Sequence, residues 1–116
     1  MTMSASVEPD PVAVPLPSAD TDRRDSDTAA ADLLKALANP LRVGIVRELD
    51  AGPRCVHELV DALAAPQPLV SQHLRILRQA RLIVGQRRGR ETAYALADHH
   101  VAHIVLDAIN HAEEAT

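Results

Sequence analysis

The sequence is nearly devoid of aromatic side chains: it has one tyrosine, Tyr94, and neither tryptophan nor phenylalanine. Any core must therefore be packed from Leu, Ile, Val and Ala, which suits small packed helices. A single cysteine, Cys55, excludes an intrachain disulfide framework. No apolar run approaches the roughly 20 residues that a bilayer-spanning helix needs. The start of the chain is acidic and dotted with prolines, without the basic and apolar stretches of a secretory signal. Together these absences point to the reducing cytoplasm. Apolar residues still make up 47% of the 116, enough for one domain with a real core.

Charge of one sign is missing from whole stretches. Residues 67–90 carry Arg75, Arg78, Arg81, Arg87, Arg88 and Arg90 and no acid, whereas residues 91–116 carry five acids and neither Lys nor Arg. Residues 1–32 are acidic as well, with seven carboxylates against Arg23 and Arg24. The formal net charge of -4 thus conceals a basic block beside an acidic one, as in a small domain with two surfaces for different partners.

Pro9, Pro11, Pro15 and Pro17, with small scattered apolar residues, mark 1–26 as a disordered acidic arm. Ordered structure is expected over 27–116, opening with a helix over 29–37 behind Ser26-Asp27-Thr28. Asn39-Pro40 ends it and starts the next, whose Leu41, Ile45, Val46 and Leu49 share one face. A turn at 51–53, a short helix over 56–63, a turn at 64–66 and a helix over 67–79 follow. Residues 82–86 and 92–96 read as strands, with Arg87-Arg88-Gly89-Arg90 as a hairpin tip whose glycine supplies a positive φ. Asp98 caps a last helix. This order is that of a mainly α fold with a β-hairpin wing, a winged helix-turn-helix, in which the second helix of the turn motif enters the major groove.

The helix over 67–79 buries Val70, Leu74 and Leu77, which leaves Ser71, Gln72, Arg75 and Gln79 on the other side at about 100° per residue. Gln67, Ser71, Gln72 and Arg75 are therefore expected to contact DNA. An amide suits an adenine edge, and a guanidinium suits guanine or phosphate. His73 falls at the buried flank. Arg87, Arg88 and Arg90 crowd around one glycine, and a phosphate backbone can neutralise all three with release of counterions.

Four of the six histidines lie in the last nineteen residues. On a helix, His100 and His111 are eleven residues apart, so they share a face but stand roughly 16 Å from each other. Glu114 lies beside His111. One helix cannot bring both ends to one ion. Two such helices packed antiparallel about a two-fold axis would set Asp98 and His100 beside His111 and Glu114 of the partner subunit. Two imidazoles and two carboxylates make a neutral tetrahedral set for Zn²⁺, with two equivalent sites per dimer. Asp98 can take part only as a cap outside helical geometry. His99, His103 and Asp107 are bystanders in this reading.

From about Ala31 to Glu114 the chain resembles the ArsR/SmtB metalloregulatory repressors, and within them the SmtB-like zinc sensors. The matching stretches are Leu37-Ala38-Asn39-Pro40-Leu41-Arg42, Cys55-Val56-His57-Glu58-Leu59, Val70-Ser71-Gln72-His73-Leu74-Arg75-Ile76-Leu77 and Leu82-Ile83-Val84. The most specific is Asp98-x-His100 followed by His111-x-x-Glu114. The resemblance implies an apo homodimer, joined through terminal helices, that represses from a palindromic operator and is released by zinc. The family's second, cysteine-based site is only partly matched, by Cys55, His57 and Glu58, because residues 1–54 hold no cysteine or histidine. A zinc hydrolase would need an open coordination position, which a closed four-ligand set lacks, so an enzyme is not expected. The alternative is a repressor of the same fold that senses no metal.

Overall fold

Asn39-Pro40 separates the first two helices. In the computed structural model, which describes residues 19–115, α1 spans Ala19–Leu37 and α2 spans Pro40–Asp50. The Asn39 side-chain oxygen accepts from the backbone N–H of Leu41 at 2.8 Å and of Arg42 at 3.3 Å. It thereby satisfies donors that a helix start leaves without partners. Pro40, at the first helical position, has no N–H to satisfy.

The first helix corrects one expectation. It starts at Ala19 rather than near residue 27, so the arm expected to be disordered over 1–26 is helical from Ala19 onward. The remainder of that arm lies outside the described residues. Asp20 and Asp22 occupy the first turn, where carboxylates favour the positive end of the helix dipole. Residues 20–32 are all exposed, so no apolar stripe marks this part as helical. The described chain up to Ala30 forms one unit. Everything from Ala31 forms a second, which holds the core and both candidate surfaces.

The remaining elements fall close to their expected positions: β1 Arg54–Cys55, α3 Val56–Leu63, α4 Gln67–Gln79, β2 Ile83–Arg88, β3 Glu91–Leu96 and α5 His99–Glu114. The sheet is antiparallel in the order β1-β3-β2. Its short strand β1 went unread in the sequence; it joins by pairing Arg54 with Tyr94 and Cys55 with Ala93. Arg88 and Glu91 are partners across the wing, which leaves Gly89 and Arg90 as a two-residue turn. Gly89 has φ 63° and Arg90 is not left-handed, the sign pattern of a type II′ turn. This order of helices, turn motif and wing is a winged helix-turn-helix.

The core is aliphatic. Ile45, Val46 and Leu49 of α2 meet Leu59 of α3 and Val70, Leu74 and Leu77 of α4, and Val101 and Val105 of α5 close one side. The stripes of α2 and α4 are the expected ones, and each fully buried Leu, Ile or Val contributes about 1.5–3 kcal/mol. Helix α4 ends in a Schellman motif: Leu82 N–H donates to the Leu77 carbonyl and Arg81 N–H to that of Arg78, both at 3.0 Å. Arg81 sits left-handed there, with φ 62°, where glycine is usual. Its conformation turns Leu82 and Ile83 into the core, where each is 1% exposed.

The Asn39 cap holds the junction from which α2 packs. Asn39→Ala should destabilise the protein by about 1 kcal/mol, lowering the melting temperature by roughly 4–8 °C. Thermal unfolding at fixed protein concentration checks this.

Candidate nucleic-acid interface and metal centre

Burial of Val70, Leu74 and Leu77 turns the other side of α4 outward. Gln67, Gln72 and Arg75 are exposed and Ser71 is half-buried. Arg87 and Arg88 on β2 and Arg90 in the turn are exposed as well. Among the described residues no carboxylate lies within ion-pair distance of any arginine of the basic block. Glu91 shows how this comes about. It is the cross-strand partner of Arg88, yet its carboxylate lies 3.6 Å from His57 Nδ1, in a recess it lines with Cys55. The wing guanidiniums are thus left open to phosphate.

Between α4 and the sheet, Ser71, Arg75, Arg78, Gln79 and Tyr94 line a recess of hydroxyl, amide and guanidinium groups. Ser71, Arg75 and Gln79 were expected on this face; Arg78 and Tyr94 were not. Arg78 was visible only as a member of the basic block. Tyr94 gets there through its pairing with Gly85, a long-range fact of sheet register.

His73 is buried at 9% exposure, as its place on the helix flank required. Its Nδ1 lies 2.9 Å from Arg42 Nη1. A guanidinium only donates, so Nδ1 accepts and the ring proton resides on Nε2. Burial, with the Arg42 charge adding to it, holds the imidazole pKa below its ordinary value.

At the other surface, Asp98 is the N-cap of α5, extended at φ -159° and ψ 174°. Its Oδ1 accepts from the backbone of His100 at 2.9 Å and of Val101 at 3.3 Å. The same oxygen lies 3.4 Å from His100 Nδ1, and both side chains are more than half exposed. Bonds of about 2.0–2.1 Å at a tetrahedral zinc put ligand atoms about 3.3–3.4 Å apart, so these two donors fit one edge of such a site. His111 and Glu114 are exposed near the far end of α5. Among the described residues of one chain, no three His, Cys, Asp or Glu side chains converge on a metal position. His99 is exposed and stacks on His100 at 4.6 Å between ring centroids; His103, also exposed, meets His99 edge-on at 5.8 Å. Cys55 is buried, and its bond to Glu91, followed by desolvation, keeps the thiol above its usual pKa. Glu58 accepts from Cys55 N–H at 2.7 Å, which lowers its own pKa.

Along α5, beside these donors, runs an apolar groove. Leu37, Ala38 and Val43 form one wall and Ile104, Ala108 and Ile109 the other, with Leu34 53% exposed at its edge.

Comparison with known proteins bears on this arrangement. The family model of the bacterial regulatory proteins of the arsR family matches residues 39–84. The transcriptional regulator NmtR of Mycobacterium tuberculosis is 45% identical over 91 residues, covering 77% of this chain and 76% of that protein. The chain belongs to the ArsR family. The transcriptional repressor SmtB of M. tuberculosis is 64% identical over 86 residues, 74% of this chain and 64% of the repressor's length. This ArsR-family chain thus spans somewhat under two thirds of that relative. Among solved structures, the homodimeric winged helix-turn-helix DNA-binding domain of Mb0332 from Mycobacterium bovis superposes with a TM-score of 0.72 at 28% identity, covering 84% of this chain and 89% of that one. The segment matched by the ArsR-family model runs from the α2 cap to the start of the wing, so α5 and its donors lie beyond it.

The state of His73 predicts a pH dependence. A histidine whose folded pKa is depressed binds fewer protons folded than unfolded near pH 6. Stability is therefore full above the ordinary pKa of about 6.5 and falls as pH drops toward the folded value. Urea unfolding at pH 7.5 and pH 5.5 should show this loss, and His73→Asn should reduce it.

Proposed function

We propose that the chain is a zinc-responsive transcriptional repressor. In this reading two copies pair along the apolar groove of α1 and α5. The apo homodimer sets one α4 in each half of a palindromic operator, in the cytoplasm. Gln67, Ser71, Gln72 and Arg75 contact the major groove, and Arg87, Arg88 and Arg90 hold the backbone. Support comes from the free guanidiniums of the wing and from relatives named as repressors. Consistently, no described helix is long and apolar enough to cross a membrane.

The observation that carries the zinc half is the arrangement of α5. Asp98 and His100 stand together and exposed at one end, His111 and Glu114 are exposed at the other, and the groove runs beside them. Asp98 and His100 of one copy, with His111 and Glu114 of the partner subunit, would hold Zn²⁺, giving two equivalent sites per dimer. When bound, the ion supplies a cross-link between two copies that favours one relative placement of their recognition helices. Release from DNA then requires that this placement fit the operator less well, and DNA must reciprocally weaken zinc binding.

A duplex recovered by in vitro selection against the apo protein provides the test. Zinc titrated into its complex should lower affinity by roughly 5–150-fold, and a chelator should restore it. His100→Gln should bind the same duplex when apo and lose the zinc response. Binding that ignores zinc would leave a repressor of this fold that senses no metal.

A further inference from the structure

Arg42 links the end of α1 to α4 through side-chain hydrogen bonds. Helix α1 ends at Leu37, so the carbonyls of its last turn lack partners within the helix. Two are met by backbone: Ala38 N–H donates to Lys35 and Asn39 N–H to Leu37. The Ala36 carbonyl instead accepts from Arg42 Nε at 2.6 Å. The same guanidinium reaches His73 Nδ1, 31 positions along the chain, at 2.9 Å. A planar fork of donors can hold both acceptors at once; an ammonium cannot match that geometry.

The two ends of this bridge matter. Leu37, Ala38 and Val43, next to Ala36 and Arg42 in sequence, wall the apolar groove. His73 lies in α4 between exposed Gln72 and buried Leu74. The apolar seam of α4 is non-directional and tolerates small rotations of the helix. A hydrogen bond to a buried ring does not. A rotation of about 10° moves side-chain tips at the helix's roughly 5–6 Å radius by about 1 Å, enough to break hydrogen bonds to base edges.

We propose that Arg42 is a positioning residue for DNA recognition: through His73 it sets the rotation of α4 against the groove-side end of α1. This rests on the DNA-binding half of the reading above. Loss of the bridge should blur sequence discrimination while leaving charge-driven binding intact, because neither residue belongs to the phosphate-facing surface.

The test uses full-length Arg42→Lys, His73→Leu and His73→Asn, the last keeping an acceptor near the place of Nδ1. Each is titrated with the duplex selected by the wild type and with a random duplex, and its melting is recorded. Arg42→Lys and His73→Leu should lose at least about tenfold on the selected duplex and less than about twofold on the random one. His73→Asn should stay within about threefold of wild type on both. Wild-type preference for the selected duplex in Arg42→Lys would overturn the proposal. So would equal losses on both duplexes, which mark a purely structural role. Should His73→Leu fail to fold, Arg42→Lys against His73→Asn decides the matter alone. A wild-type protein that selects no duplex would instead sink the DNA-binding reading itself.

Discussion

A straight helix keeps residues eleven positions apart about 16 Å from one another, and much of this molecule is organised around that length. His100 and His111 share a side of α5 but cannot meet in one chain, so four donors of this kind make a site only where two copies meet. A second copy needs a surface to pack on. The groove of Leu37, Val43, Ile104 and Ile109, with exposed Leu34 at its edge, runs along the same helix. One element thus carries the candidate metal donors and a wall of the apolar groove, so an ion held across two copies, as proposed, would act directly on how they pair.

The basic surface depends on the reverse arrangement, in which charges are kept apart. No described acid lies within ion-pair distance of the arginines of α4 and the wing. The nearest acid in sequence, Glu91, lies 3.6 Å from His57 Nδ1 instead. Arginines without internal partners repel one another in the free protein and gain most when phosphates replace that repulsion. Between the two surfaces lies the Arg42–His73 bridge, a short polar contact in a core otherwise made of aliphatic side chains.

The sequence made the fold legible wherever one residue governs its own neighbourhood. Asn39-Pro40, the stripes of α2 and α4, Gly89 and the Asp98 cap all act locally, and each stands where local chemistry put it. What escaped was either unpatterned or non-local. Residues 20–32 of α1 are all exposed, so no periodicity announced them. Strand β1 is two residues long and exists through its pairing with β3. Ala64 and Arg81 are left-handed without being glycine, and nothing in a residue name shows that. The candidate zinc donors were legible as spacing. That the Asp98 carboxylate stands 3.4 Å from His100 Nδ1 emerged only in the folded chain, as did the contact of Arg42 with a ring 31 positions away.

A mixed dimer decides whether the proposed zinc site is shared between two copies. A heterodimer of one His100→Gln chain and one His111→Gln chain keeps one intersubunit site whole and breaks the other in both halves, whereas each parent homodimer has a fault in both of its sites. Zinc stoichiometry, measured at concentrations that load the wild type fully, should be half the wild-type value in the purified heterodimer and near zero in either parent. Full loading of a parent homodimer, or none in the heterodimer, would contradict a site shared between two copies.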